Sequence, residues 1–243
     1  MSNTKIALVT GANKGLGFET ARQLGKQGIH VIVAARDPAK AASAALALQS
    51  DGIAAEALTL DVTRAESIEL AVKQVGDQHG HLDILINNAG VMADDATRKP
   101  SEQTLDAWRQ TFDTNVFGLV AVTNAFLPLL KKSPAGRIVN LSSVLGSNTL
   151  HQQKESGIYD FKVPAYNVSK SAVNAWTVQL AWELKDTAIK VNAAHPGHVK
   201  TDMGGPSAPM EIVDGAKTSV QLATLPADGP TGSYSHMGET LPW

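Results

Sequence analysis

The feature that most constrains this chain is a regular alternation of short, almost continuously apolar runs with longer amphipathic ones. The short runs are KIALVT (5–10), HVIVAA (30–35), EALTLD (56–61), LDILINNAG (82–90), GRIVNLSS (136–143) and IKVNAAHPG (189–197). They are too short for helices and lack the polar alternation of half-exposed strands, so they are predicted as strands buried on both faces. Residues 15–28, 38–50, 64–79, 104–131 and 164–185 read as helices between them. Asp37-Pro38 has the pattern of an N-cap followed by proline in the first turn. Parallel neighbours need a crossover, so this alternation predicts an α/β fold, a doubly wound parallel sheet with helices on both faces.

Such a sheet binds ligands outside the carboxyl ends of its strands. Gly11, Ala35, Arg36, Asp61, Asn88, Ser142, Ser143 and Pro196 fall at or just past those ends, and Tyr166 and Lys170 begin the helix after the fifth strand. All of them are expected to face one crevice.

Directly after the first strand comes TGANKGLG (10–17), with a helix beginning behind it. Glycines let the backbone turn tightly and approach a pyrophosphate, whose charge is favoured by free N–H groups at a helix start. The spacing is not G-x-G-x-x-G; position at the first strand-to-helix crossing carries the argument. A site preferring NAD usually places an acid at the end of the second strand, near the ribose 2′-hydroxyl. Here VIVAARD offers Ala35 and then Arg36, with Lys14 in the glycine loop. Two cations suit a 2′-phosphate, and Asp37 is expected to turn towards its helix, so NADP(H) is predicted over NAD.

The stretch YDFKVPAYNVSK (159–170) holds two tyrosines, and only Tyr166 has a lysine four residues on. On a helix, Lys170 then shares its face. An exposed pair of this kind contributes only ~0.3–0.5 kcal/mol, whereas bringing a phenol from ~10 towards 7 needs roughly 4 kcal/mol. The pair can do chemistry only in a desolvated site with further positive charge.

At 243 residues, 43% hydrophobic and 18% charged, the chain can bury one large core, so residues 1–243 are read as a single domain. A net charge of −2 and 5% aromatic residues speak against nucleic acid and anionic membranes as partners. The absence of cysteine excludes disulfides, thiolate nucleophiles and Cys-ligated metals. No leader pattern is read at the start and no apolar run is read as a membrane span, so a cytoplasmic protein is expected. None of the seven histidines forms an HExxH pattern; His195 and His198, flanking Pro196-Gly197, are read as ordinary surface or pocket residues, and no metal site is predicted.

Taken in order, TGANKGLG (10–17), Asp61, NNAG (87–90), Asn115, SSVLG (142–146), YNVSK (166–170) and PGHVKTD (196–202) resemble the short-chain dehydrogenase/reductase family over nearly the whole chain. The closest likeness is to its NADPH-dependent carbonyl reductases. The segment from Ser143 to Tyr166 is longer than in many members, yet lacks the long helical insertion of the monomeric carbonyl reductases.

The resemblance implies a Rossmann-type fold in which Tyr166 is the acid/base, Lys170 its electrostatic partner and ribose ligand, and Ser143 the donor to the substrate oxygen. Asn115 would hold a water linking Lys170 to solvent. Gly11, Asn13, Gly15, Leu16 and Gly17 would cradle the pyrophosphate, with Asp61 and Val62 at the adenine and Asn88, Ala89 and Gly90 behind the ribose. Pro196, Gly197, Val199 and Thr201 would meet the carboxamide. Val144, His151, Tyr159, His198 and Met203 are candidate walls of the substrate pocket, and segments 147–163 and 202–215 a substrate loop and lid.

The implied reaction passes a hydride from NADPH to a small-to-medium apolar ketone or aldehyde while Tyr166 gives its proton to the oxygen. The rival readings are an alcohol, sugar or steroid dehydrogenase working oxidatively and a non-catalytic NADP-sensing protein. A homodimer or homotetramer is the assembly that the resemblance implies.

Overall fold

The computed structural model describes residues 4–243. Eight strands form one sheet: β1 (Ile6–Thr10), β2 (His30–Ala35), β3 (Ala55–Thr59), β4 (Ile84–Asn87), β5 (Arg137–Leu141), β6 (Lys190–Ala194), β7 (Tyr234–His236) and β8 (Glu239–Thr240). Their spatial order is β3-β2-β1-β4-β5-β6-β7-β8, with every pair parallel except β7 with β8. The order reverses between β1 and β4, which opens a crevice at the carboxyl ends of those strands.

The connections are helical: α1 (Gly15–Gly25), α2 (Pro38–Ser50), α3 (Ala65–His79), α4 (Leu105–Phe112), α5 (Leu119–Leu130), α6 (Asn148–Gln152), α7 (Pro164–Glu183), α8 (Ile212–Gly215) and α9 (Lys217–Ala223). Two apolar layers sandwich the sheet. Ile68, Phe126, Leu130 and Leu180 from α3, α5 and α7 fill one side, and Leu24, Leu48 and Val220 from α1, α2 and α9 fill the other. Each such side chain contributes about 1.5–3 kcal/mol on burial, which is why the six predicted strands read as apolar throughout. At α2, Asp37 accepts from the Ala39 and Lys40 N–H groups at 2.9 and 3.2 Å, the expected cap.

Three local features depart from the sequence expectation. The helix expected over 104–131 is split by a π-helical turn, Asp113–Gly118. A Cβ on Gly118 would come within 2.8 Å of the Val62 carbonyl, so the turn lies hard against the end of β3. Together, Leu105–Leu130 are long and apolar enough to cross a membrane by length and composition, contrary to the expectation of no such run. In this fold one face of the segment packs on the core, with Phe126, Leu130 and Asn115 buried, while Leu105 and Phe117 are exposed. The tail adds β7 and β8, joined through Met237 and Gly238, both at positive φ. That two-residue hairpin is too short to show a pattern in sequence.

Candidate active site

Tyr166 sits in the first turn of α7, which begins with Pro164 and has no side-chain cap at Val163. Asp94, in the loop after β4, supplies one instead: its two carboxylate oxygens accept from the Ala165 and Tyr166 N–H groups at 2.8 and 2.9 Å. A carboxylate also complements the positive end of the helix. Asp94 therefore holds the backbone that carries the phenol.

One turn on, Lys170 shares the buried face of α7. Its Nζ donates to the Leu141 carbonyl at 2.7 Å and lies 5.5 Å from the centroid of the Tyr166 ring. Burial dominates the titration of both groups. It pushes the phenol up to about 12, against a smaller lowering by a hydrogen bond to the Ser143 hydroxyl, and pushes the ammonium down to about 8. At neutral pH the site holds a protonated phenol beside a lysine that is still mostly cationic.

Ser142 and Ser143 point differently. The Ser142 hydroxyl donates to Asn174 Oδ1 at 2.5 Å, towards α7. Ser143 caps the turn Val144–Gly146 by accepting from Leu145 N–H at 3.2 Å, and it is the serine beside Tyr166. That turn is held from behind by His195, whose Nδ1 accepts from the Val144 and Gly197 N–H groups at 3.1 and 3.4 Å. Burial, with a further contribution from His236, pushes His195 down to about 3, so it is neutral and an acceptor at Nδ1.

Asn115 in the π turn accepts from Val91 N–H at 2.8 Å and donates to the Val91 carbonyl and to Ser169 Oγ. These bonds brace the β4 loop against α7. A Cβ on Gly90 would meet Asn115 Oδ1 at 3.3 Å and Lys170 Nζ at 3.6 Å, so Gly90 keeps the space between these groups open.

The glycine loop is tied to β4. Thr10 Oγ1 accepts from the Asn88 and Ala89 N–H groups at 3.0 Å each, and Asn88 Nδ2 donates to the Thr10 and Gly11 carbonyls at 2.8 and 3.1 Å. A Cβ on Gly17 would collide with Asn88 Nδ2 and come within 2.7 Å of the Gly11 carbonyl, so only glycine fits. Lys14 at the N-cap offers no side-chain acceptor to the first turn of α1. The N–H groups of that turn remain for an external anion, so these residues fit a dinucleotide pyrophosphate.

Several expected residues are engaged otherwise than foreseen. The Asn88 amide donates to the glycine loop. Lys14 pairs with Asp202, both largely exposed, which bridges the glycine loop to the segment after β6. Arg36 is exposed at the end of β2. Partial burial works against ionisation of Asp61, but the Thr63 hydroxyl and N–H, then Arg36 and Arg64, hold its carboxyl below the ordinary value. Val62 is half-buried against Gly118.

The imidazole of His151 meets the Leu145 carbonyl at Nε2 and Lys162 at Nδ1, both at 3.0 Å. His198 Nε2 lies 2.8 Å from the Gly204 carbonyl. Both histidines are thus committed to loop packing. Tyr159 is half-buried beneath Lys162, Val144 is half-buried, and Met203 is exposed. After β6, Pro196 and Val199 are buried; Thr201 Oγ1 accepts from Gly204 N–H at 3.1 Å, and Gly197 sits at φ +93 against Met210.

Sequence reasoning missed Thr10, Asp94, the buried chain Asn87–Asn140–Thr177 that links β4, β5 and α7, and Tyr234. Tyr234 is fully buried, stacks on Trp243 at 5.4 Å, and its hydroxyl has no partner among the described residues. Burial, and secondly the proximity of Tyr166, push its titration far up. Polar residues at strand ends were the available signal for Thr10, Asn87 and Asn140; nothing local marks Asp94 or Tyr234.

The chain is similar to known proteins over most of its length. Residues 5–212 match the family model of the short chain dehydrogenases. The chain is 38% identical over 226 residues to short-chain dehydrogenase anuI of Penicillium roqueforti, covering 90% of this chain and 88% of that one. It is 34% identical to carbonyl reductase [NADPH] 1 of Sus scrofa, covering all of this chain and 95% of the pig protein. That alignment spans 282 positions, so the pig protein has residues with no counterpart here. Among solved structures, NADPH-bound carbonyl reductase from chicken fatty liver superposes with a TM-score of 0.86 at 28% identity, over 99% of this chain and 100% of that one. Salutaridine reductase from Papaver somniferum gives 0.82 at 29% identity, over 95% and 99%. The chain belongs to the short-chain dehydrogenase family.

Proposed function

We propose that this protein is an NADP(H)-dependent reductase of small-to-medium apolar ketones or aldehydes. The observation that carries the reading is the meeting of a buried, protonated Tyr166 with Lys170 and Ser143 at the carboxyl ends of β5 and β6, beside the glycine loop. A bound nicotinamide would supply the hydride. Tyr166 gives its proton to the carbonyl oxygen as negative charge develops there, and Ser143 donates a second hydrogen bond to the same oxygen. Raising a phenol from 10.0 to about 12 makes the tyrosinate costlier by roughly 3 kcal/mol. The Lys170 cation, held in a site shielded from water, offsets that cost. Asn115, which borders the same space above Gly90, is proposed to hold the water that links Lys170 to solvent.

NADP(H) is favoured by the cations at the far end of the crevice. Lys14 and Lys40 border a shallow depression of about 300 Å³ between α1 and α2. Arg36 lies at the end of β2, and the Asp37 carboxylate is turned into its helix. The printed names of the pig and chicken relatives, which include NADPH, support the same choice. Segments 147–163 and 202–215 are proposed as substrate loop and lid, the second latched by Lys14 and Asp202. Exposed Leu105, Phe117, Val168, Val178 and Trp182 on α4, the π turn and α7 support self-association through that face.

The test is consumption of NADPH by the purified protein with a panel of prochiral ketones, α-keto esters and aldehydes, beside NADH and beside Tyr166→Phe. Turnover with NADPH that vanishes in the variant, while NADPH still binds by calorimetry, is the expected result. Tight NADPH binding with no turnover on any carbonyl, nor on alcohols with NADP, would refute the reductase reading and favour a cofactor sensor.

A further inference from the structure

At the end of the sheet opposite the crevice, three side chains from different elements converge. His30 opens β2, Glu56 lies in β3 and His79 ends α3. Glu56 is in register with Ile32, so His30, two residues earlier, projects from the same face as Glu56. The helix α3 stops at Gly80, in the left-handed conformation, and leaves His79 beside both.

One ligand atom from each residue lies within 4.8 Å of the other two. His79 Nε2 is 2.6 Å from Glu56 Oε1, and His30 Nε2 is 3.6 Å from the same oxygen. The rings are 5.3 Å apart, tilted by 51°. Glu56 and His79 alone would make an ordinary ion pair. That leaves His30 Nε2 unexplained, because it is shielded from solvent and has no hydrogen-bond partner among the described residues, a costly state for a polar atom.

We propose that His30, Glu56 and His79 form a binding site for a zinc ion. Two imidazoles and one carboxylate are a recurrent three-ligand set for zinc, which leaves a fourth tetrahedral position to water. Magnesium and calcium prefer oxygen ligands alone. Tetrahedral ligands about 2.0–2.1 Å from the metal stand roughly 3.3 Å apart. Rotation of the partly exposed side chains reaches that spacing: Glu56 and His79 separate slightly and His30 closes in. The ion gives His30 Nε2 its missing partner. His81, whose Nδ1 lies 3.0 Å from the His79 carbonyl, steadies the end of α3. The site ties that end to β2 and β3, far from Tyr166, so its effect is on stability. Separated by whole elements in the chain, the ligands form no sequence motif.

The test is thermal unfolding and calorimetry of protein first stripped with a chelator, titrated with zinc sulfate, and with magnesium as control. Binding of one zinc per chain is expected, with a rise in Tm of roughly 5–10 °C at free zinc a hundredfold above Kd. Cobalt should give the visible absorption of a tetrahedral site. His30→Ala removes a nitrogen that bonds nothing in the metal-free protein, so it should fold and lose the shift. Should it fail to fold, Glu56→Gln, which keeps an acceptor for His79, serves the same comparison. No shift at millimolar zinc, or an undiminished shift in the folded variant, overturns the assignment.

Discussion

His195 makes a quantitative claim about acid stability. Its Nδ1 accepts from Val144 and Gly197 N–H, and burial followed by the influence of His236 takes its pKa from 6.5 to about 3. The folded state therefore refuses a proton that the unfolded chain accepts below about 6.5. For a depressed folded pKa of this kind the stabilisation is complete above the unfolded value, and it drains away as pH falls towards 3. The slope is about 1.36 kcal/mol per pH unit, so this residue alone costs roughly 2 kcal/mol between about pH 7 and pH 5. For a domain of this size that is roughly 4–8 °C in Tm. Asn at 195 can place its Oδ1 where His195 has Nδ1, keeping the Val144 contact while removing the titration. Thermal and urea unfolding of wild type and His195→Asn at both pH values should show the variant losing roughly 2 kcal/mol less. Equal losses would refute the claim that His195 stays neutral and buried in the folded state.

Further outcomes follow from the same geometry. Asp94→Asn leaves one acceptor for two N–H donors, so it loses one bond to α7, weakens the other and should cost about 1–3 kcal/mol in urea unfolding; it should also lower kcat for carbonyl reduction more than it changes KM for NADPH. Tyr234→Phe removes a buried, unpartnered hydroxyl and should be neutral or stabilising by up to about 1 kcal/mol; a loss above that would show that the hydroxyl has a partner. Lys170 is cationic below a pKa of about 8 in the cofactor-free site. Thus kcat/KM for NADPH should fall as pH rises through that value, and Lys170→Met should lie at the high-pH level throughout. Stability should move oppositely, rising between about 8 and 10.5 as the burial penalty on the Lys170 charge disappears.

Much of the fold is legible in the chain because its signals are local. Six strands buried on both faces must be apolar at nearly every position, and a tight strand-to-helix turn beside a phosphate site needs glycine at positions such as Gly11 and Gly17. The Asp37 cap and the pairing of Tyr166 with Lys170 depend on neighbours within one turn of helix. Each of these can be read from a few consecutive residues.

What the chain does not display depends on partners distant in sequence. Asp94 is an unremarkable loop acid until folding sets it under α7. Asn88 shows its bonds to the Thr10 and Gly11 carbonyls only once β1 and β4 lie side by side. Lys14 meets Asp202 only when the segment after β6 folds back over the glycine loop. The same holds for His30, Glu56 and His79, and for Tyr234.

The sequence by itself determined the parallel α/β sheet, the family and the order of the motifs along the strand ends, since periodicity and turn chemistry act within a few residues. The tertiary structure alone decided that Tyr166 is buried with its phenol held protonated, and that Ser142 is turned away to Asn174. It likewise decided which of the expected ligand groups are already engaged. Desolvation and long-range hydrogen bonds exist only once distant segments have excluded water from one another.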